Sequence, residues 1–324
     1  MATLTLAKAI NASLRKAMED DPKVVLMGED IGKLGGVFRV TDGLQKDFGE
    51  HRVKDTPLAE SGILGTAIGL ALRGYRPVVE IQFDGFVFPA YNQIVTQLAK
   101  MRARSGGRTG LPVVVRIPFG GGIGAVEHHS ESPEALFAHV AGLRVVSPSN
   151  ADDAYAMLQE AIAVDDPVIY LEPKRRYYDK GEVDPAAAPH PLHSARVVRP
   201  GSDATVLGYG PTVRTVLEAA AVADEEGTSL EVVDLRSVSP IDFDAIETSV
   251  RRTGRLVVVH EAPVFFGTGA EIAARITERC FHQLEAPVLR VGGFHMPYPP
   301  ARAEHAYLPD LDRILDAVER VLAY

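Results

Sequence analysis

The sequence predicts an α/β fold in two parts, and three observations lead to this prediction. Apolar runs rich in β-branched residues alternate with stretches of helical period along the 324 residues. Most of these runs are continuously apolar, which is typical of strands buried on both faces of a parallel sheet. The segment 178–200 interrupts the alternation, because it carries charges and four prolines and shows no helical or strand period.

The order of the elements follows from these patterns. Predicted strands are Lys23–Met27, Pro77–Phe83, Pro112–Ile117, Leu143–Ser147, Pro167–Leu171, Asp203–Gly208, Ser229–Leu235, Arg255–His260 and Pro287–Val291. Predicted helices are Leu4–Asp20, Ile63–Arg73, Tyr91–Arg104, Pro133–Val140, Asp152–Val164, Val213–Glu226, Phe243–Arg252, Glu271–Gln283 and Leu311–Leu322. We therefore predict a first domain over residues 1–185, a linker over 186–200 and a smaller domain over 201–324.

Composition excludes several classes of protein. The chain is 46% hydrophobic and 24% charged, with a net charge of -9, so nucleic acid is not expected as a partner. Its apolar stretches are too short for a membrane span, and the N-terminus lacks the layout of a signal peptide. The single cysteine, Cys280, excludes an internal disulfide. A cytoplasmic location is expected.

Glu60 stands before a helix made almost entirely of small and apolar residues. A carboxylate beside such an apolar helix is energetically unfavourable unless it is exposed, paired or protonated, and desolvation raises its pKa. Glu60 is thus a candidate proton-transfer group. The alternative is an ordinary acid in a first helical turn, which the helix dipole favours; the local sequence alone favours this alternative.

A glycine-rich segment, residues 119–125, follows the predicted strand Pro112–Ile117 and leads to His128 and His129. It contains G-x-G-x-x-A, the dinucleotide-binding pattern, which requires a helix to begin at the glycines. Here the helix starts only near Pro133, so we reject that interpretation and expect a loop that delivers the histidines to a site. Taken alone, paired loop histidines are more often structural than catalytic, and we expect the two rings to point in opposite directions.

The segment 83–91 carries three phenylalanines directly after the predicted strand Pro77–Phe83. Ligands of α/β sheets bind beyond the carboxyl ends of strands, and such rings could stack on an apolar cofactor ring. Ordinary core filling is the alternative interpretation.

Together these segments resemble the β subunits of the thiamine diphosphate-dependent first component of 2-oxo acid dehydrogenase complexes. The resemblance keeps motif order over essentially the whole chain. Its matching segments are 28–32, 35–38, 55–60, 76–83, 129–135, 142–146 and 166–174, with 208–210 and 231–236 similar to the transketolase C-terminal domain. The resemblance implies a transketolase-like pyrimidine-binding domain with a parallel sheet, followed by a smaller α/β domain that serves assembly and acyltransferase docking.

The resemblance also implies roles for individual residues. Glu60 would share a proton with the pyrimidine ring of thiamine diphosphate and thereby activate the cofactor. Phe86 would pack near the pyrimidine, and Leu58 and Gln82 would line the same pocket. His129 would lie at the reaction centre and assist proton transfer or passage of the acyl group to the lipoyl carrier.

The Gly-Asp-Gly…Asn signature that places Mg²⁺ on the diphosphate is absent from the sequence. The resemblance implies that a separate α subunit holds Mg²⁺ and the diphosphate in an α2β2 heterotetramer, so the chain alone should have no decarboxylase activity. It also suggests a potassium ion on backbone carbonyls, at the positions Leu111, Val113, Val114, Ala161 and Asp166.

Within this family, segments 82–86 and 129–133 look closer to branched-chain enzymes, while pyruvate and acetoin enzymes remain alternatives. A self-sufficient transketolase-like or deoxyxylulose-phosphate synthase-like enzyme conflicts with the missing Mg²⁺ signature. A non-catalytic scaffold subunit is the remaining alternative. The sequence also departs from the family at His295, where close relatives usually carry an aspartate. If that aspartate contributes to docking of the lipoyl acyltransferase, we expect docking here to be weaker, reorganised or remade through nearby acids.

Overall fold

A computed structural model describes residues 1–324. Its strands are β1 (Ala2–Thr5), β2 (Val24–Gly28), β3 (Val53–Asp55), β4 (Arg76–Glu80), β5 (Val114–Phe119), β6 (Arg144–Val146), β7 (Val168–Pro173), β8 (Lys180–Val183), β9 (Arg196–Arg199), β10 (Ala204–Gly208), β11 (Leu230–Asp234), β12 (Ser237–Ser239), β13 (Leu256–Pro263) and β14 (Leu289–Gly293).

The helices connect these strands. They are α1 (Leu6–Asp20), α2 (Leu44–Phe48), α3 (Glu60–Leu72), α4 (Phe88–Asn92), α5 (Met101–Arg104), α6 (Glu134–Ala138), α7 (Ala151–Ala163), α8 (Val213–Glu225), α9 (Phe243–Thr253), α10 (Thr268–Cys280), α11 (Glu304–Tyr307) and α12 (Leu311–Leu322). No helix is long and apolar enough to cross a membrane.

Two sheets dominate the fold. The first has the order β12-β6-β7-β5-β4-β2-β3, and its strands are parallel except for β12. The second has the order β14-β13-β10-β11-β9, and only β9 is antiparallel. The predicted α/β class is therefore confirmed, and each of the nine predicted strands is present with small shifts at its ends.

The sequence missed five short strands: β1, β3, β8, β9 and β12. Most of these lie at sheet edges, where polar residues are tolerated and the apolar signal is weak. The predicted helix over 91–104 is also broken, since a π-helix (Gln93–Leu98) lies between α4 and α5.

The prediction that segment 178–200 lacks strands is wrong. Strand β8 pairs with β1, and β9, inside the predicted linker 186–200, pairs with β11 of the second sheet. The linker is also tied down by the buried Arg236, whose guanidinium donates to the carbonyls of His190, Pro191 and Ser194 and pairs with Asp153. Hydrogen bonds from Arg236 to these carbonyls therefore hold the segment in place, although its sequence shows no regular helical or strand period.

The two domains are joined by a strand that completes the first sheet and by a common hydrophobic core. Strand β12 follows the second domain's β11 yet completes the first sheet, pairing Ser237 with Val146 and Ser239 with Val145. A single hydrophobic cluster of 35 buried residues contains Phe137 and Val145 from the first part and Val258 from the second. The two sheets therefore pack around a common core.

Helix α3 is apolar on all sides, which is typical of a helix covered on every face. One face is buried in the core through Ile63, Leu64, Ala67, Ile68 and Ala71. The opposite face, with Gly62, Gly65, Thr66, Gly69 and Leu72, is exposed in the single chain. Apart from Thr66, this face lacks the polar residues that a solvent-facing helix normally carries.

A buried ion cluster joins the carboxyl ends of the three central strands. Arg116 on β5 donates to Glu80 on β4 at 2.8 Å and to both carboxylate oxygens of Glu172 on β7 at 2.6 and 3.0 Å. Tyr177 also donates to Glu172. Burial raises the pKa of Glu80, and the Arg116 guanidinium opposes that shift. Each buried charge is therefore stabilised in the core by an oppositely charged partner.

The Arg116→Ala variant should lose about 3–5 kcal/mol of unfolding free energy, because it leaves two buried carboxylates without their cation. Urea unfolding of the purified chain measures the loss. The control is Arg214→Ala, which breaks exposed pairs with Asp179 and Glu218 and should cost less than about 1 kcal/mol. Equal losses in the two variants would contradict this account of the cluster.

Candidate functional site

The candidate site lies at the carboxyl edge of the first sheet. Strands β2, β4, β5 and β7 run parallel, so the residues after each strand meet at one edge. Glu29 follows β2, Gln82 follows β4, the glycine loop 120–124 follows β5, and Lys174 follows β7. The topology thereby gathers four segments that are distant in sequence.

Glu60 is the first residue of α3 and is half-buried. Its neighbour Glu29 is the more deeply buried carboxylate, since it is only 4% exposed. Burial raises the pKa of Glu29, the charges of Glu60 and Asp30 add to the shift, and the N–H of Ala59 opposes it by donating to the carboxylate. The result is a corner with two adjacent carboxyl groups, of which Glu29 has a raised pKa.

Gln82 and Leu58 flank this acid corner. The Gln82 amide donates to the Glu29 carbonyl at 3.3 Å, which ties the end of β4 to the end of β2. Leu58 is 83% exposed and contributes an apolar side chain that no part of the chain covers. Oε1 of Glu29 is buried with no hydrogen-bond partner. The corner therefore has an uncovered apolar side chain and a buried polar atom that lacks a partner.

The rings of Phe83, Phe86 and His129 form an aromatic corner beside the acid corner. The His129 ring stacks on Phe83 with centroids 3.9 Å apart and planes at 9°, and Phe86 meets it edge-on at 5.0 Å and 85°. Stacking and edge contacts of this kind fix the orientation of a ring. The structure thus brings together two residues, Phe86 and His129, that the sequence singled out separately.

The hydrogen bonding of His129 determines which ring nitrogen is free. Nδ1 lies 2.9 Å from the carbonyl of His128, which can only accept, so Nδ1 must carry a proton. In the neutral ring, Nε2 is then the free acceptor. His128 is exposed, but its ring centroid lies 4.3 Å from that of His129 and 6.1 Å from that of Phe86, so the expectation that the two histidine rings point in opposite directions is wrong.

A buried ion pair anchors the loop that carries His129. Lys174 donates to Asp84 at 2.6 Å, and both residues are almost fully buried. The other Asp84 oxygen accepts from the N–H of Glu131 at 2.8 Å, while the Glu131 carbonyl accepts from Gly120. Burial raises the pKa of Asp84 to about 6, and Lys174 opposes the shift. The loop over 120–131 is therefore closed at its base.

Gly85 explains the close fit between the aromatic loop and the histidine loop. A Cβ atom on Gly85 would lie 2.3 Å from the carbonyl oxygen of His128, a distance that backbone atoms cannot accommodate. Only glycine lets the two loops approach closely enough for Phe83 and Phe86 to reach His129.

The glycine loop does not have the geometry of a dinucleotide site. No helix begins at the glycines; the next regular elements are a short 3₁₀ turn over Glu127–His129 and helix α6. The N–H groups of Gly121, Gly122 and Gly124 are already used, because they donate to the carboxylates of Glu261 and Glu304. This agrees with the rejection of the nucleotide interpretation.

The positions predicted for potassium lie at the opposite, amino edge of the sheet. Leu111 and Val113 already accept from the N–H groups of Val113 and Val168, and the Asp166 carboxylate pairs with Arg144 and Arg102. Ala161 lies in the last turn of α7, where carbonyls have no intrahelical partner. No cluster of three or more acidic, histidine or cysteine side chains is placed to hold a metal. Any cation here would depend on carbonyl oxygens.

Sequence reasoning missed Glu29, Asp84, Lys174, Glu261 and Glu304. Glu29 had a detectable signal, since a charged pair follows directly after the apolar strand β2. The others are defined by pairs that are far apart in the chain, such as Asp84 with Lys174, and no local pattern marks them.

Comparison with known proteins extends this description. Residues 2–180 match the transketolase pyrimidine-binding domain model, and residues 193–314 match the transketolase C-terminal domain model. A pyruvate dehydrogenase E1 component subunit beta from Leifsonia xyli is 62% identical over 99% of this chain and 96% of its own length. A 3-methyl-2-oxobutanoate dehydrogenase subunit beta from Mycobacterium tuberculosis is 56% identical over 99% and 92%.

Among solved structures, a split-gene transketolase described as an inactive beta4 tetramer superposes with a TM-score of 0.82. It shares 24% sequence identity and covers 99% of this chain and 98% of its own, so this likeness concerns the fold alone.

The Lys174→Met variant should be destabilised by about 3–5 kcal/mol, because Asp84 would remain buried without its cation. The double variant Asp84→Asn with Lys174→Met removes both charges and keeps an acceptor for the Glu131 N–H, so it should recover most of that loss. Urea unfolding of the two single variants and the double variant completes the cycle. Simple additivity of the two single losses would show that the pair is not coupled.

Proposed function

The chain belongs to the β subunits of 2-oxo acid dehydrogenases, and from that premise we propose that it supplies the pyrimidine-binding half of a thiamine diphosphate site. The observation that carries this proposal is the meeting of the acid corner (Glu29, Glu60) and the aromatic corner (Phe83, Phe86, His129) at one sheet edge. The reaction would be oxidative decarboxylation of a 2-oxo acid with transfer of the acyl group to a lipoyl carrier.

The residues fit the pyrimidine end of the cofactor. Phe86 offers an apolar ring, Gln82 is held in place by the Glu29 carbonyl, and Glu29 keeps a buried oxygen without a partner. When bound, thiamine diphosphate supplies the electron sink for the loss of CO₂ from the 2-oxo acid. The Mg²⁺ and diphosphate half would come from the α subunit, because no signature for it occurs in this chain.

Glu60 would hold a proton against a ring nitrogen of the cofactor. Two adjacent carboxylates in a poorly solvated corner tend to retain a proton, since like charges disfavour double ionisation. Burial already raises the pKa of Glu29, with the charge of Glu60 as the next cause. Glu29 would thus help to keep a proton available beside Glu60.

His129 would act through Nε2, the nitrogen that its bond to His128 leaves free. Its ring is fixed by Phe83 and Phe86, so an acceptor or donor is presented in one direction. Such a group can move a proton at the reacting carbon or assist passage of the acyl group to the lipoyl sulfur.

The exposed apolar surface supports an assembly with a separate α subunit, for which we propose α2β2 stoichiometry. Leu58 is 83% exposed beside Glu60, and the uncovered face of α3 lies on the same helix as Glu60. Partner chains commonly cover exposed apolar surfaces of this kind. The second domain would dock the lipoyl acyltransferase. His295 is exposed there and contacts Phe265, with ring centroids 4.3 Å apart.

We propose a branched-chain 2-oxo acid as the substrate, on the resemblance of segments 82–86 and 129–133 to branched-chain enzymes. Pyruvate is the second candidate, and the 62% identical relative named as a pyruvate dehydrogenase subunit favours it. A potassium ion at the carbonyls of Leu111, Val113, Val114, Ala161 and Asp166 also remains a proposal, supported by the unpaired position of the Ala161 carbonyl at a helix end.

The Glu60→Gln variant should lower turnover of the reconstituted α and β complex by at least about 100-fold, because the amide cannot take up and release a proton. The measurement is 2-oxo acid-dependent reduction of an artificial electron acceptor by the α and β complex, and the chain without an α subunit should give no turnover. Glu50→Gln, at an exposed position, is the matched control. Full activity of Glu60→Gln would favour a scaffold subunit instead.

The assembled complex should use 2-oxoisovalerate with a kcat/KM about tenfold higher than for pyruvate, as expected when a pocket is shaped for a larger acyl chain. Steady-state rates with both substrates and with 2-oxoglutarate decide the question. A preference for pyruvate would select the second candidate.

A further inference from the structure

The glycine loop 120–124 forms a concave set of N–H donors. Gly120, Gly122 and Gly124 have φ of +82°, +88° and +70°, and Gly121 lies between the first two. Successive N–H groups in such a conformation point inward and bind anions. In this protein the anions are two carboxylates of its own second domain.

Glu304, the first residue of α11, makes the fuller contact. One of its oxygens accepts from the N–H of Gly122 at 2.6 Å and from the Tyr298 hydroxyl at 2.6 Å, and the other accepts from the N–H of Gly124 at 3.0 Å. Glu304 is only 8% exposed. Both carboxylate oxygens are therefore committed to holding the loop and its Tyr298 neighbour.

Glu261, at the end of β13, supports the same loop. It accepts from the N–H of Gly121 at 3.2 Å and pairs with Arg175 at 2.8 Å. Gly121 also lies against Tyr298, whose hydroxyl would be 1.8 Å from a Cβ atom at that position. The second domain thus contacts the loop through three side chains, of which Glu304 makes the most hydrogen bonds.

The loop continues directly to the candidate site. Four residues separate Gly124 from His129, and the far end is fixed at Glu131 by Asp84 and Gly120. Between these two anchors, residues 126–128 are exposed. The position of His129 therefore depends on a contact made by the second domain on one side and by Asp84 on the other.

We propose that Glu304 is a positioning residue, which places His129 by holding the N–H groups of Gly122 and Gly124. This inference deepens the proposed function and rests on it for the role of His129. It also makes the second domain part of the active-site framework, in addition to its proposed part in docking.

The test compares Glu304→Gln with Glu304→Asp and with Glu319→Gln, an exposed glutamate on α12 that serves as the matched control. All are assembled with the α subunit. Hydrogen exchange of peptides covering 119–131 should be roughly tenfold faster in Glu304→Gln, because the amide nitrogen cannot accept a hydrogen bond. Exchange at α1 should stay unchanged, and Glu304→Asp should recover part of the protection.

In the same complexes, kcat for lipoyl acylation should fall about tenfold in Glu304→Gln while KM for the 2-oxo acid stays constant. Unchanged exchange over 119–131 would overturn the proposal whatever the rates. Faster exchange with an unchanged kcat would also overturn it, since the loop would then move without consequence for catalysis. An inactive wild-type complex would count against the proposed function alone. The exchange measurement would still show whether Glu304 holds the loop over 119–131.

Discussion

The buried cluster of Arg116, Glu80 and Glu172 is the constraint on which the candidate site depends. It fixes the carboxyl ends of β4, β5 and β7 relative to one another, and each of these strands leads within a few residues to a group of the site. One guanidinium donates to two carboxyl groups, and the Tyr177 hydroxyl donates a further hydrogen bond to Glu172. A hydrophobic replacement could fill the volume but would not set the separation of three strand ends.

Carboxylates have two different uses around this edge. Asp84, Glu261 and Glu304 are structural anions, since each accepts from backbone N–H groups of the loop over 120–131. Glu60 is different, because its helix position leaves it half-buried and open to a ligand. The local sequence does not distinguish a structural carboxylate from one that is open to a ligand. The distinction depends on whether backbone N–H donors lie beside the carboxylate in the folded chain. A cofactor would therefore meet a loop whose glycine N–H groups at Gly121, Gly122 and Gly124 are already hydrogen-bonded.

The strong apolar runs made the fold predictable from the sequence, whereas the candidate site could be predicted only in part. β5 and β13 are recognisable in the sequence as apolar runs. β9 and β12 are short, and they are defined as strands by pairing with segments far away along the chain. Phe86 and His129 were singled out from their loops, but their contact depends on Gly85 and on the Asp84–Lys174 pair. The role of Glu60 came from family resemblance, because a first-turn glutamate has no local pattern that distinguishes catalysis from helix stabilisation.

The placement of β12 has a consequence for the order in which the protein is made. Val145 and Val146 leave the ribosome long before Ser237 and Ser239, the residues that complete their side of the sheet. Until then, the nascent chain exposes the open edge of β6, which offers unpaired backbone groups to other chains. The first sheet can thus be complete only after nearly three quarters of the polypeptide has been synthesised.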